Sequence, residues 1–225
     1  MDNRIYGSLI CQNALPDILR CIESVIPYVD EFYIMDGGST DGTWEWLNKW
    51  KDVYKLTLFR YPYDEQGNQR NRLLAEIPKG NWCLNIDQDE ELVAKDFRGF
   101  ISNISSDLLS GKDRDLPLTI AFPCINLVKD LEHFDADNLH YFAIKCFFND
   151  RNVHFTPGYH MSICYFDTEN NVNAIPARKE WVVKHYAYLD KDRIKKSSKD
   201  TKRSYSKNEF NEKNWNITDL PEEWK

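Results

Sequence analysis

Four carboxylates crowd into five residues at Asp87-Gln-Asp89-Glu90-Glu91, directly after the apolar run Trp82-Cys-Leu-Asn-Ile86. Held that close they repel one another, and a divalent cation would relieve the repulsion. Hard oxygen ligands suit Mg²⁺ or Mn²⁺, ions commonly shared between one or two carboxylates and substrate phosphates. In an extended segment, alternation would turn Asp87 and Asp89 to the same side. The same acids would equally suit the first turn of a helix, where carboxylates favour the dipole. A second cluster is Asp36-Gly-Gly-Ser-Thr-Asp-Gly-Thr43. Its glycines let a ligand approach the backbone, Asp36 can accept hydrogen bonds from a base or ribose, and Asp41 can cap a following helix. Gly, Ser and Asp also build tight turns that hold no ligand. A third is Gly67-Asn-Gln-Arg70-Asn71-Arg72. There Arg70 or Arg72 could fork onto a phosphate or a base edge, or pair with the acidic loop.

These residues need elements to place them. Residues 4–11 read as a first strand, and Pro16 opens a helical pattern with Ile18, Leu19, Ile22, Val25 and Ile26 on one face. Glu31 to Met35 is a short apolar run of the kind a buried parallel strand shows, ending at Asp36. A helix follows from Thr43 to Trp50, then a strand at Lys55 to Arg60, a helix at Asn68 to Ile77 and a strand at Trp82 to Ile86. Strand–helix alternation at this spacing predicts crossover units and a parallel sheet, whose ligands bind outside the carboxyl ends of the strands. A helix is expected near 92–104. Strand-like runs then dominate at Leu118–Val128, Phe142–Phe148, Tyr159–Phe166 and Trp181–Tyr188.

Composition narrows the function classes. The 225 residues are 42% hydrophobic, with 7 Trp, 12 Tyr and 12 Phe, enough large apolar side chains to offset the ordering entropy of a core. A net charge of -7 disfavours a general nucleic-acid binder. Residues 190–207 nevertheless carry eight basic and three acidic groups, which leaves -12 on the remainder. No apolar run is long enough to span a membrane, and the N-terminus lacks signal-peptide anatomy. A cytoplasmic location is expected, with peripheral membrane association left open. The six cysteines stand singly, most inside apolar stretches, where a thiol behaves as a small core residue.

Taken in order, strand–Asn13, buried strand–Asp-Gly-Gly-Ser-Thr-Asp-Gly-Thr, Arg70-Asn71 and strand–Asp-x-Asp-Glu resemble the family 2 glycosyltransferases, over about residues 4 to 92. The resemblance implies a GT-A-type α/β fold, a mixed, mostly parallel sheet flanked by helices, with a β-rich acceptor half. It implies one domain over 1–189, divided into a nucleotide-sugar half (1–91) and an acceptor half (92–189). A basic helical tail or lid over 190–225 follows, whose Lys195 and Arg203 would meet a diphosphate. In that family the end of strand 1 (here Ile10 and Asn13) and the residue matching Asp36 hold the nucleobase and ribose. Arg70 lies near the nucleotide, and Asp87 and Asp89 serve the ribose and the metal on the diphosphate. His185, in Val-Val-Lys-His-Tyr, resembles a His that ends the last strand and completes the metal shell. Two departures stand out: Gly37 replaces the second Asp found in many members, and the acceptor half offers no clear carboxylate base. Candidates there are Glu132, His133, Asp135, His154 and His160, with Glu90 beside the metal cluster. His160 is followed by Met161 where related enzymes carry Glu, and a lone His is more often structural than catalytic.

The expectation is therefore an enzyme that moves a sugar from a nucleoside-diphosphate donor, a UDP-sugar first among them, to a hydroxyl of a glycan or glycoconjugate. It would use Mn²⁺ or Mg²⁺ and invert the anomeric centre. A nucleotidyltransferase is the first rival, though Cys11-Gln-Asn-Ala-Leu-Pro16 lacks the Gly-rich basic loop such enzymes carry after strand 1. The second is an inactive nucleotide- or glycan-binding module, which the Met161 departure keeps open.

Overall fold

The computed structural model describes residues 4–15, 17–110, 118–138, 142–149, 153–158, 163–165, 173–186, 189 and 216–225. Thirteen strands and four α-helices lie among these residues. The first half alternates as expected. It runs β1 (Ile5–Cys11), α1 (Asp17–Val25), β2 (Glu31–Asp36), α2 (Thr43–Tyr54), β3 (Leu56–Arg60), α3 (Gln66–Glu76) and β4 (Asn81–Asp87). After it come β5 (Glu90–Val93), α4 (Phe97–Ser110), β6 (Leu118–Asn126), β7 (His133–Asp135) and β8 (Phe142–Asn149). The remaining strands are β9 (Val153–Phe155), β10 (Ile163–Tyr165), β11 (Asn173–Pro176), β12 (Val182–His185) and β13 (Ile217–Asp219).

The main sheet runs β3-β2-β1-β4-β8-β6-β12-β5, with β11 beside β6. Its first four strands are parallel, and β8 turns the direction by pairing antiparallel with both β4 and β6. Because the chain moves outward from β1 to β3 and then returns to β1's other edge for β4, the order reverses between β1 and β4. Such a reversal opens a crevice beyond the strands' carboxyl ends, the usual ligand site of open α/β sheets. Register places Asp36 beside Cys11 and Asp87 beside Ile10, so the three strands end within one residue of one another.

Alternation along β1 supplies both faces. Ile5, Leu9 and Cys11 face a core built with Ile18, Cys21, Ile22 and Val25, the apolar stripe of α1. Tyr6 and Ile10 face the opposite layer with Leu73, Leu74 and Ile77 of the α3 region and Phe147 and Phe155. A third, smaller cluster joins Phe134, Val182, Tyr186, Leu220 and Trp224.

Two expectations change. The stretch read as a helix near 92–104 begins instead with β5, and α4 starts only at Phe97. Glu90-Glu-Leu-Val93 pairs antiparallel with β12, Val93 opposite Val182 and Glu90 opposite His185, so a partner about ninety residues away overrides the local helical preference. Residues 216–225 of the expected helical tail return as β13 against β7 and a short 3₁₀ turn, because Leu220 and Trp224 bury against Phe134. Residues 190–215, with Lys195 and Arg203, lie outside the described residues.

Cys11, Cys21, Cys83, Cys124 and Cys146 are buried free thiols. Burial pushes Cys83 and Cys124 up to about 12, so neither holds appreciable thiolate at neutral pH. Native protein treated with iodoacetamide at pH 8 should leave these five unmodified, and the same reagent in 6 M guanidinium should label all five. Mass mapping that finds Cys83 or Cys124 alkylated in the native state would contradict that burial.

Candidate active site

The Asp36 loop is assembled by its own polar groups. Asp36 Oδ1 accepts from the Gly38 and Ser39 amides, both at 3.0 Å, and faces Arg60 Nε at 3.3 Å. Ser39 Oγ accepts from Asn13 N at 2.8 Å, and Asn13 Oδ1 accepts from Thr40 N at 2.8 Å. Asp41 takes the Thr43 amide and hydroxyl at 3.0 and 2.6 Å and the Leu15 amide at 3.1 Å. Asn13 therefore clamps the loop from a left-handed backbone position (φ 51°). Asp36 Oδ2 is fully buried and, like Arg70 Nε and Arg20 Nε, has no hydrogen-bond partner among the described residues. A buried carboxylate oxygen without a donor is costly, which marks it as an acceptor awaiting one.

Gly37 is explained by close packing. A Cβ there would lie 3.0 Å from Tyr63 Cβ and 3.3 Å from Cys11 O, and Tyr63 N donates to Gly37 O at 3.0 Å. Tyr63 thus takes the space that an Asp side chain at position 37 would need.

The carboxylate row is built by β4, the turn at 88–89 and β5. Asp87 lies at the end of β4, whereas Asp89 sits in the two-residue turn, so the expected extended alternation does not place them; the turn does. Arg70, 2% exposed on α3, bonds Asn85 Oδ1 and Asp87 Oδ1 and lies over the Phe155 ring at 5.6 Å. Of the alternatives open in the sequence, Arg70 pairs with the acidic loop, while Arg72 pairs with Asp64 at the surface. Lys145 of β8 approaches Asp87 Oδ2 at 3.3 Å and Glu90 at 2.6 and 2.7 Å. Asp89 Oδ2 lies 3.3 Å from His185 Nε2, and His185 Nδ1 lies 2.9 Å from Asn126 Oδ1. Asn126 Oδ1 can only accept, so it fixes a proton on Nδ1 and turns Nε2 toward Asp89.

Electrostatics follows this geometry. Burial works against ionising Asp87, but the Lys145 and Arg70 charges outweigh it and hold the carboxyl well below its usual range. Burial likewise opposes Asp89, and His185 outweighs it. Glu90 is pushed up by burial and by Asp87, even with Lys145 beside it. Burial opposes the charge on Lys145 and on His185, yet the facing carboxylates raise both.

Two candidate bases are placed where they serve other partners. Glu90 is 5% exposed, with both oxygens on Lys145 and Oε2 also accepting the Asp87 amide at 2.9 Å. Asp135, also 5% exposed, accepts from the Asp137 and Asn216 amides, both at 3.3 Å, where β7 meets β13. Each is thereby disposed to hold backbone or charge rather than to take a proton from an acceptor. His133 pairs with Asp130 and Asp219, and His154 stands opposite Cys164 in the β9–β10 hairpin. His160 lies outside the described residues. Ile10 is a core residue whose backbone flanks Asp87.

Lys145, Asn85 and Asn126 escaped the sequence reading. The signal for the first was a lone Lys inside Phe142-Ala-Ile-Lys-Cys-Phe-Phe148, since a charge within a buried strand demands a partner. Asn71 takes an unexpected role: its side-chain amide donates to Phe155 O at 2.8 Å and accepts from Phe155 N at 2.7 Å, fastening β9 to α3. Gly67 completes that seam, because a Cβ there would lie 2.1 Å from Thr156 O. Gly67→Ala should therefore lower stability by about 1–3 kcal/mol through overpacking, despite alanine's better helix propensity. Urea denaturation with an unchanged or raised midpoint would refute the seam.

Acidic side chains at the strand ends and an unsatisfied buried acceptor beside the reversal point occupy the place where open α/β sheets hold their ligands. Residues 9–109 match the model of "Glycosyl transferase family 2". Over 85 residues it is 35% identical to the lipopolysaccharide core biosynthesis glycosyltransferase LpsC of Rhizobium meliloti (strain 1021), a stretch covering 37% of this chain and 31% of LpsC. The chain thus spans about a third of that curated relative's length. Among solved structures, S. aureus TarS 1-349 in complex with UDP-GlcNAc is similar at 12% identity, with 78% of this chain and 59% of that one covered and a TM-score of 0.49. TarS 1-349 alone gives 16% identity, 54% and 36% coverage, and a TM-score of 0.42. The mixed, mostly parallel sheet with helices agrees with the α/β architecture expected from the sequence. No helix among the described residues is long and apolar enough to cross a membrane.

Proposed function

We propose that this chain transfers a sugar from a nucleoside-diphosphate sugar to a hydroxyl of a glycan or glycoconjugate. The observation that carries the reading is the buried, unpartnered Asp36 Oδ2 at a strand end one register step from that of Asp87. A nucleobase or ribose donor would satisfy it, and the diphosphate would then extend toward the carboxylate row. The match of residues 9–109 to the glycosyl transferase family 2 model supports the same assignment, and the likeness to a lipopolysaccharide core enzyme supports a glycan acceptor. A UDP-sugar is the first donor to test.

Asp89 and His185 Nε2 suit a divalent cation as a carboxylate and an imidazole donor, with the imidazole oriented from behind by Asn126. Among the described residues no group of three or more such donors forms a closed cage. Two protein ligands with the rest supplied by phosphate and water is a usual arrangement for Mg²⁺ and is compatible with Mn²⁺. When bound, such an ion supplies Lewis-acid stabilisation of the departing diphosphate. Asp36, Arg70 and Asp87 orient the nucleotide, a contribution made by positioning. His160 is the base we would test, with inversion the expected outcome; Lys195 and Arg203 are the residues to test for closure on the diphosphate.

Thermal shift with UDP, GDP and dTDP, each with MnCl₂, tests the reading. One of them at a hundredfold excess over its Kd should add about 2.7 kcal/mol of stability. The matching sugar donor should then be hydrolysed in the same tube. Stabilisation without hydrolysis or transfer would favour a binding module, and no stabilisation by any of the three would refute the proposal.

A further inference from the structure

Lys145 is a buried charged group that the proposed chemistry leaves unexplained. It is 6% exposed in the middle of β8, and its neighbours Ala143, Ile144, Cys146 and Phe147 all pack into the two main cores. Its ammonium touches Glu90 through both oxygens and Asp87 through Oδ2, while Arg70 takes Asp87 Oδ1 from the other side. Glu90 Oε2 in turn accepts the Asp87 backbone N–H. Asp87 is therefore held at three points, two on its carboxylate and one on its backbone, by residues from α3, β5 and β8.

We propose that Lys145 is a positioning residue for the donor site, fixing the Asp87 carboxylate toward the nucleotide and leaving Asp89 with His185 as the pair that meets the cation. The inference rests on the proposed nucleotide-sugar reading. Burying an ammonium is expensive, and a buried ion pair is often replaced by apolar groups with no loss of stability. Compensation of Glu90 alone would make the pair dispensable for binding; a grip on Asp87 would not.

That difference can be measured. Lys145→Met strands Glu90 and should lower Tm. The double variant Lys145→Met with Glu90→Gln removes both charges, and Gln can still accept the Asp87 amide, so Tm should return toward wild type. Calorimetric titration of the full chain then uses whichever of UDP, GDP or dTDP stabilises wild type, with MnCl₂. The double variant should bind it about tenfold more weakly, or about 1.4 kcal/mol. Lys145→Arg, which keeps a cation beside both carboxylates, should stay within about threefold of wild type. Wild-type affinity in the double variant overturns the inference alone. If the double variant does not fold, Lys145→Arg decides: a tenfold loss there also overturns it. Failure of wild type to bind any of the three nucleotides removes the proposed function, and the inference with it.

Discussion

Asp89→Ala should abolish metal-dependent donor hydrolysis and transfer while the protein stays folded. Asp89 sits in the β4–β5 turn with its side chain 30% exposed, and among the described residues it pairs with His185. Removing it deprives a cation of its carboxylate ligand and leaves a single imidazole, too little to hold Mg²⁺ or Mn²⁺ against water. Lewis-acid assistance to a leaving diphosphate is worth several kcal/mol, so turnover should fall by about 10³ or more. The fold should lose little, about 1 kcal/mol, because the lost pair is partly exposed and His185 can become neutral and keep its bond to Asn126. Hydrolysis measured across a MnCl₂ titration, beside a thermal melt, separates these effects. Turnover equal to wild type would sink the metal assignment.

Trp181→Ala should instead cost stability, about 3–5 kcal/mol. Trp181 is fully buried, stacks on Phe122 at 5.8 Å and meets Phe97 and Phe100 edge-on at 5.4 and 5.0 Å. Its indole N–H also donates to Lys95 O at 2.7 Å, the hydrogen bond that pins the start of α4 to the start of β12. Truncation leaves a cavity the size of an indole and an unpaired carbonyl. For a chain of this length the melting temperature should drop by about 10 °C. Trp181→Phe should recover part of the loss but not the Lys95 bond. A loss below about 1 kcal/mol for the alanine variant would mean that the surrounding rings collapse into the gap.

The first half was legible because its signals are local. Continuous apolar runs ending in Gly and Asp mark parallel strands wherever both faces are covered, and β2 followed by the Asp36 loop is such a case. The acidic cluster was equally plain. What hid was everything set by distant pairing. Glu90-Glu-Leu-Val93 reads as the start of a helix until β12 arrives to pair with it. Arg70 and Arg72 are two residues apart and chemically alike, yet helical geometry buries one under Phe155 and leaves the other at the surface. Lys145 escaped notice inside an apolar run, and even a lone charge there does not reveal its partners, since nothing in a strand names the carboxylate across the sheet.

The separation of those partners along the chain has a consequence for how the molecule comes into being. Asp87, Asp89 and Glu90 leave the ribosome within four residues of one another, whereas Lys145 and His185 follow some 55 and 96 positions later. During synthesis the first four strands can align and Arg70 is already present for Asp87, but Glu90 and Asp89 must wait in water for Lys145 and His185. The four-strand half is thus an unfinished body when it emerges, and β8 and β12 close it by bringing cations as well as hydrogen bonds.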